Sequence, residues 1–70
     1  MKRKNLKLLR IKHDLTQEEL AKALNISLSS YNLIENGERN GSIIFWNSLQ
    51  EYFKLTGEEI WNLQNNKNND

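Results

Sequence analysis

Apolar residues recur along the first third of the chain at the spacing of α-helices. Leu6, Leu9 and His13 stand at positions i, i+3 and i+7, which predicts a first helix near residues 3–13. A second apolar stripe of leucine and alanine follows after Asp14 and predicts a short helix over about residues 17–24. Both helices have one apolar face, so each needs a partner to cover it.

Helix-capping residues separate these stripes and define a tight turn. Thr16 with Glu19 three residues later has the pattern of a reciprocal capping box. Asn25 tolerates the left-handed backbone that a sharp turn requires, and Ser27 is a good N-cap. A third helix is therefore predicted from residue 28 to about 35, directly after a tight turn.

Two further helices are predicted after Asn36-Gly37, a pair typical of a helix end. Ser42 and Thr56 have the residue types expected at their N-caps. The residues predicted to face the core from these two helices are Ile43, Trp46, Leu49, Phe53, Ile60 and Leu63.

The composition fits one small all-α domain. The chain has 70 residues with no proline, no cysteine and three glycines, so its core must hold by helix packing without disulfides or thiolate metal sites. We expect a five-helix domain over residues 1–64. Residues 65–70 are almost entirely polar, and we expect them to form a disordered tail.

Charge is distributed unevenly although the net charge is only +1. Residues 1–39 hold eight Lys/Arg against five Asp/Glu, whereas residues 40–70 hold two against four. The basic first half could face a polyanion, but charge alone does not decide the function. No apolar run is long enough to span a bilayer or to form a signal peptide, so we expect a soluble, cytoplasmic protein.

Enzymatic chemistry is not expected from these residue types. His13 is the only histidine, and it has no second histidine or cysteine with which to share a metal ion. The adjacent glutamates 18–19 and 58–59 point about 100° apart on a helix, so neither pair can form a facing acid/base dyad. We expect no metal, no cofactor and no small-molecule ligand.

The second and third predicted helices form a helix-turn-helix. Ala21 is small where two helices crossing at a steep angle must approach closely, and Asn25 makes the turn. The wedge between the helices is expected to be filled by Ile26, Tyr31 and Ile34. The outward face of the third helix is then formed by Leu28, Ser29, Asn32 and Leu33.

The segments Thr-Gln-Glu-Glu-Leu-Ala from residue 16 and Glu-Asn-Gly from residue 35 carry a family signature. With them, the chain over residues 5–63 resembles the Cro/phage-repressor (XRE-type) helix-turn-helix family. The section containing Phe45-Trp46 and Ile60-Trp61 is similar to a branch found in mobile elements and phages of low-GC Gram-positive bacteria. The resemblance implies a repressor-like regulator that acts as a homodimer on a palindromic double-stranded DNA operator.

The resemblance also implies roles for individual residues. The outward residues of the third helix, Leu28, Ser29, Asn32 and Leu33, would face base edges. The phosphate contacts would come from Gln17, Ser27, Asn36, Arg39 and Asn40, including exposed main-chain N–H groups around Asn36. Arg10 and Glu35 match an internal ion pair of the family, and Gln17 is expected to brace the third helix.

Three departures from the family pattern bear on these roles. Asp14 and Asn25 stand where glycine is frequent, and Leu28 replaces a residue that is often polar. An apolar Leu28 would contact a thymine methyl instead of donating a hydrogen bond.

Several alternatives stay open at the level of sequence. The lysines of residues 2–12 suit either a solvated face or contact with DNA phosphates. Ile44, Phe45 and Trp61 exceed what a thin core requires, so they fit either a dimer contact or packing under the tail. The leading function is a DNA-binding transcriptional regulator. The alternative is an antitoxin or protein-interaction module that uses the same domain.

Overall fold

The computed structural model describes residues 2–65 and consists there of five α-helices, which confirms the all-α prediction. The last four helices begin within a residue or two of the positions that the capping pattern predicts. The helices are α1 (Lys4–Lys12), α2 (Gln17–Ala23), α3 (Leu28–Glu35), α4 (Ile43–Phe53) and α5 (Gly57–Asn65).

The predicted caps account for how α2 and α3 begin. The Thr16 hydroxyl accepts a hydrogen bond from the Glu19 N–H at 3.0 Å, and the Glu19 carboxylate accepts one from the Thr16 N–H at 2.9 Å. The Ser27 hydroxyl accepts a hydrogen bond from the Ser30 N–H at 3.1 Å. Asn25 adopts the predicted left-handed backbone, with φ +60°. The tight turn therefore forms as the sequence indicates, and α3 is held across α2.

One apolar cluster holds the five helices together. Leu6, Leu20, Tyr31 and Leu49 are completely buried at its centre, and they come from four different helices. Ala21 of α2 is also buried, and α2 packs against α3. The remaining buried apolar residues are Leu24, Ile34, Phe45, Trp46 and Leu63.

The buried face of α4 differs from the predicted one. Ile43 was expected in the core but is 77% exposed, whereas Phe45, a candidate for surface contact, is only 2% exposed. At about 100° per residue, Phe45 lies about 40° around the helix from the buried Leu49, whereas Ile43 lies about 120° away. The apolar stripe of α4 is therefore centred between Phe45 and Trp46, and the prediction for Ile43 was wrong.

The last helix extends one residue into the segment that was expected to be a polar tail. Asn65 closes α5, where its side-chain amide donates to the main-chain oxygen of Trp61 at 2.9 Å. Residues 66–70 of the expected tail lie outside the described residues. Across residues 2–65, no helix combines the length and apolar content that crossing a bilayer requires.

Candidate nucleic-acid interface

The exposed face of α3 is small and carries no acidic side chain. Leu28 is 44% exposed and Ser29 is exposed, whereas Asn32 and Leu33 are half-buried. These four residues were predicted to face outward, and none of them is buried in the core. An α-helix presenting such a face has the width that the major groove of B-DNA admits.

A chain of side-chain amides links the start of α2 to the end of α3. Asn36 Nδ2 donates to Asn32 Oδ1 at 3.1 Å, and Asn32 Nδ2 donates to Gln17 Oε1 at 3.2 Å. Gln17 Nε2 in turn donates to Glu35 Oε1 at 3.0 Å. The expectation that Gln17 braces α3 is therefore confirmed.

Glu35 is the centre of a buried polar network beneath this chain of amides. Its Oε2 accepts from Arg10 Nε at 3.0 Å and from Tyr31 Oη at 2.6 Å. A second nitrogen of Arg10 reaches Glu35 Oε1 at 3.2 Å, so the contact is bidentate. The predicted ion pair between Arg10 and Glu35 is therefore present, and it joins α1 to α3.

The ionisation of this network is fixed by its contacts. Burial opposes the charged form of Glu35, but hydrogen bonds led by that of Arg10 outweigh burial and lower the pKa of the Glu35 carboxyl. The hydrogen bond to Glu35 raises the pKa of Arg10, and burial followed by contact with Glu35 raises that of Tyr31. At neutral pH the network therefore contains a charged pair and a neutral tyrosine.

The main-chain N–H groups of residues 36–39, where the loop after α3 begins, are occupied by hydrogen bonds within the protein. The N–H groups of Asn36 and Gly37 donate to carbonyls within α3, and those of Glu38 and Arg39 both donate to the Leu33 oxygen. The expectation of exposed N–H groups around Asn36 was therefore wrong for residues 36–39, because they cap the end of α3. The exposed Arg39 guanidinium stays close to α3 through a 3.3 Å hydrogen bond from Nη1 to Ser30 Oγ.

Arg3 is a buried residue that sequence reasoning did not single out. It stands among the exposed lysines of residues 2–12, yet it is only 1% exposed. Its guanidinium donates to main-chain oxygens and lies 5.2 Å from the ring centre of Trp46. Burial lowers its pKa from the usual arginine value. No local sequence pattern predicts that Arg3 is buried, because the main-chain oxygens that accept its hydrogen bonds lie more than 30 residues away along the chain.

Several lysines of α1 and the arm before it lie beside the predicted phosphate contacts. Gln17 and Asn36 line one surface cleft together with Lys2, Lys4 and Lys7. These lysines are exposed, whereas the two arginines of the same run are buried. The basic run is thus divided into internal arginines and surface lysines.

Within residues 2–65, no group of histidine and acidic side chains is arranged as a metal site. His13 is the C-cap residue of α1, and its ring packs against Phe53 with 4.7 Å between ring centres. It therefore occupies the helix-end position that the sequence predicted.

Two comparisons with known proteins found similarity. The helix-turn-helix family model matches residues 6–60. A relative described as an uncharacterized HTH-type transcriptional regulator, YqaF of Bacillus subtilis (strain 168), is 45% identical over 51 residues. That alignment covers 73% of this chain and 67% of the relative. The comparison with solved structures found no significant match.

Proposed function

The chain belongs to the XRE-type helix-turn-helix family of DNA-binding transcriptional regulators, and we propose that it is a sequence-specific repressor of the phage or mobile-element Cro-like class. The observation that carries the proposal is the exposed, acid-free face of α3, held on the buried network of Arg10 and Glu35. A rigid support of this kind suits base reading, which needs side chains at fixed positions.

Base reading is assigned to α3 lying in the major groove. Leu28 and Leu33 offer apolar contacts suited to thymine methyl groups, and the Ser29 hydroxyl can meet donors or acceptors. The Asn32 amide keeps one donor hydrogen and one lone pair beyond its contacts with Gln17 and Asn36. A spare donor and a spare acceptor are what adenine requires in the major groove, so Asn32 favours an A·T pair.

Affinity for the DNA backbone is assigned to residues on both sides of α3. Ser27 lies at the N-terminal end of α3, where the helix dipole favours an anion, and Arg39 supplies a cation beyond its other end. Lys2 and Lys7 add positive charge beside Gln17 and Asn36. The full set of proposed phosphate contacts is Gln17, Ser27, Asn36, Arg39 and Asn40.

A homodimer is proposed because a palindromic operator is read by two copies of one helix-turn-helix. Helices α4 and α5 pack against each other and carry three apolar side chains that expose most of their surface. The exposed fraction is largest for Ile43, at 77%, and smallest for Trp61, at 62%, with Ile44 between them. A second copy of this chain that covers these side chains would remove an apolar surface from water. The two copies of α3 would then reach successive major grooves about 34–36 Å apart.

The experiment that tests this function is a random-duplex selection with the purified protein at two salt concentrations, read by sequencing. We expect a palindrome whose half-sites lie about 10 base pairs apart, with affinity falling as salt rises. The Ser29→Glu variant places a carboxylate against base edges and should lose the enrichment while keeping the helical circular dichroism spectrum. A palindrome that Ser29→Glu enriches equally would contradict the groove assignment.

The dimer has its own test in sedimentation velocity. Ile44→Glu should shift the protein towards monomer and weaken binding to the full palindrome more than to an isolated half-site. For the sedimentation measurement, Ile11→Glu is the matched control, because Ile11 is a 49% exposed apolar residue on α1. Equal sedimentation shifts in the two variants would exclude Ile44 from the interface. A chain that enriches no duplex would favour the alternative function, an antitoxin or protein-interaction module.

A further inference from the structure

Arg3 connects parts of the chain that are distant in sequence. Its Nη1 donates to the main-chain oxygens of Ile34 and Arg39, the latter at 2.9 Å. Nη2 reaches the Asn40 oxygen at 3.5 Å, and Nε reaches the Gln64 oxygen at 3.3 Å. One guanidinium thus contacts the end of α3, the loop that follows it and the end of α5.

The loop held by Arg3 is the one that carries Arg39 and Asn40, two of the proposed phosphate contacts. A second buried side chain acts on the same loop, since Trp46 Nε1 donates to the Asn40 oxygen at 2.9 Å. The arm that carries Arg3 is itself fixed, because the Arg3 N–H donates to the Glu35 oxygen at 2.9 Å. The arginine is therefore anchored through its main chain and its side chain.

These contacts control which side of the loop meets solvent. The carbonyl oxygens of Arg39 and Asn40 accept hydrogen bonds from buried donors, so they point towards the protein interior. A carbonyl oxygen turned outward would repel a phosphate. The buried positive charge of Arg3 also lies beneath the loop, where low polarity screens its field less than water would.

We infer that Arg3 is a positioning residue for DNA binding, which holds the 39–40 loop so that its side chains, and not its carbonyl oxygens, face the phosphates. It touches no phosphate itself and acts through Arg39 and Asn40. This inference rests on the proposed function, because it assumes that the loop meets DNA.

The test compares Arg3→Lys and Arg3→Met with wild type on the selected duplex, at a temperature where each variant is folded by circular dichroism. We expect both to bind every duplex about ten-fold more weakly, with the slope of log K against log salt reduced by about one phosphate. Lysine is not expected to rescue binding, because its single ammonium cannot match the planar guanidinium at several carbonyls. Lys22→Met is the matched control, because it removes an exposed charge from α2.

A double-mutant cycle with Arg39→Ala separates positioning from general destabilisation. If Arg3 acts through Arg39, its substitution should cost little further affinity once Arg39 is alanine. A merely structural role lowers stability but leaves the affinity and salt slope of the folded molecules unchanged.

The outcomes distinguish this inference from the proposed function. If wild type binds no duplex, the proposed function fails. If wild type binds and Arg39→Ala weakens binding, but folded Arg3 variants keep the wild-type affinity and salt slope, only the role of Arg3 is overturned. Should both Arg3 variants fail to fold, Arg3→Gln, which keeps side-chain N–H donors without the charge, takes their place in the same comparison, and wild-type affinity and salt slope in the folded Arg3→Gln protein overturn the inference as well.

Discussion

Asn32 Nδ2 donates a hydrogen bond to Gln17 Oε1 at 3.2 Å, so a proposed base contact and a proposed phosphate contact share one polar link. Because each amide orients the other, their contributions to operator binding should not be independent. We expect the double variant Gln17→Ala/Asn32→Ala to lose less affinity than the sum of the single variants, by about 1 kcal/mol.

The matched control for this cycle pairs Gln17→Ala with Ser29→Ala, since no hydrogen bond joins Gln17 to Ser29 in the described part of the chain. These two losses should add. Titration of the selected duplex by fluorescence anisotropy measures all variants, and additive losses for Gln17 and Asn32 would show that the link has no role in binding.

Removing one partner of the ion pair between Arg10 and Glu35 should lower the free energy of unfolding more than removing both partners. Glu35→Leu leaves the buried guanidinium without its carboxylate, and we expect a loss of about 3–5 kcal/mol in the free energy of unfolding. Adding Arg10→Met to that variant should recover about half of the loss, because no unpaired charge then stays buried. Urea denaturation followed by circular dichroism measures both, with the exposed Lys12→Met as control.

Acid should lower the free energy of unfolding, because it protonates Glu35. The pKa of Glu35 is lowered in the folded state, so its contribution to stability is complete above its unfolded pKa of about 4.3 and is lost as pH falls through the folded value. The raised pKa of Tyr31 has the opposite sign, and its contribution is lost only as pH rises above about 10.

Urea denaturation between neutral pH and pH 3 tests whether Glu35 causes the loss of stability in acid. The free energy of unfolding of wild type should fall more steeply below pH 4.3 than that of Arg10→Met/Glu35→Leu, which lacks the titrating group. Parallel curves for the two proteins would contradict the assignment of acid sensitivity to Glu35.

Lys54 offers a route to higher stability. It ends α4 with φ +55° and ψ +50°, a left-handed conformation that glycine adopts without strain. We expect Lys54→Gly to raise the free energy of unfolding by up to about 1 kcal/mol, whereas Lys54→Ala, which retains a Cβ, should give no gain. Thermal denaturation of the two variants measures the difference, and equal melting temperatures would exclude backbone strain at this position.

The order of the helices and the tight turn could be predicted because their causes are local. The capping box of Thr16 and Glu19 spans three residues, and the preference of Asn25 for the left-handed region belongs to the residue itself. The pairing of Arg10 with Glu35 came from the family resemblance, since nothing local in either helix indicates it. Patterns and resemblance together were enough to locate the exposed face of α3.

The errors fall where distant parts of the chain meet. Arg3 looked like its lysine neighbours, and only the carbonyls brought to it from residues 34, 39, 40 and 64 make it internal. The choice of Phe45 over Ile43 for the core depends on how α4 is rotated against its partners, which helical spacing alone does not fix. The N–H groups around Asn36 were expected to contact phosphates, but those of residues 36–39 donate hydrogen bonds to carbonyl oxygens at the end of α3.

The contacts of Arg3 have a consequence for how this domain can diversify. Its acceptors are main-chain oxygens, which every amino acid possesses, so the contacts do not depend on which side chains stand at positions 34, 39, 40 and 64. Substitutions at 39 and 40 can therefore change the charge and reach of the loop while its backbone path is retained. A descendant could gain or lose affinity for the DNA backbone by single substitutions, without a compensating change in the domain that carries them.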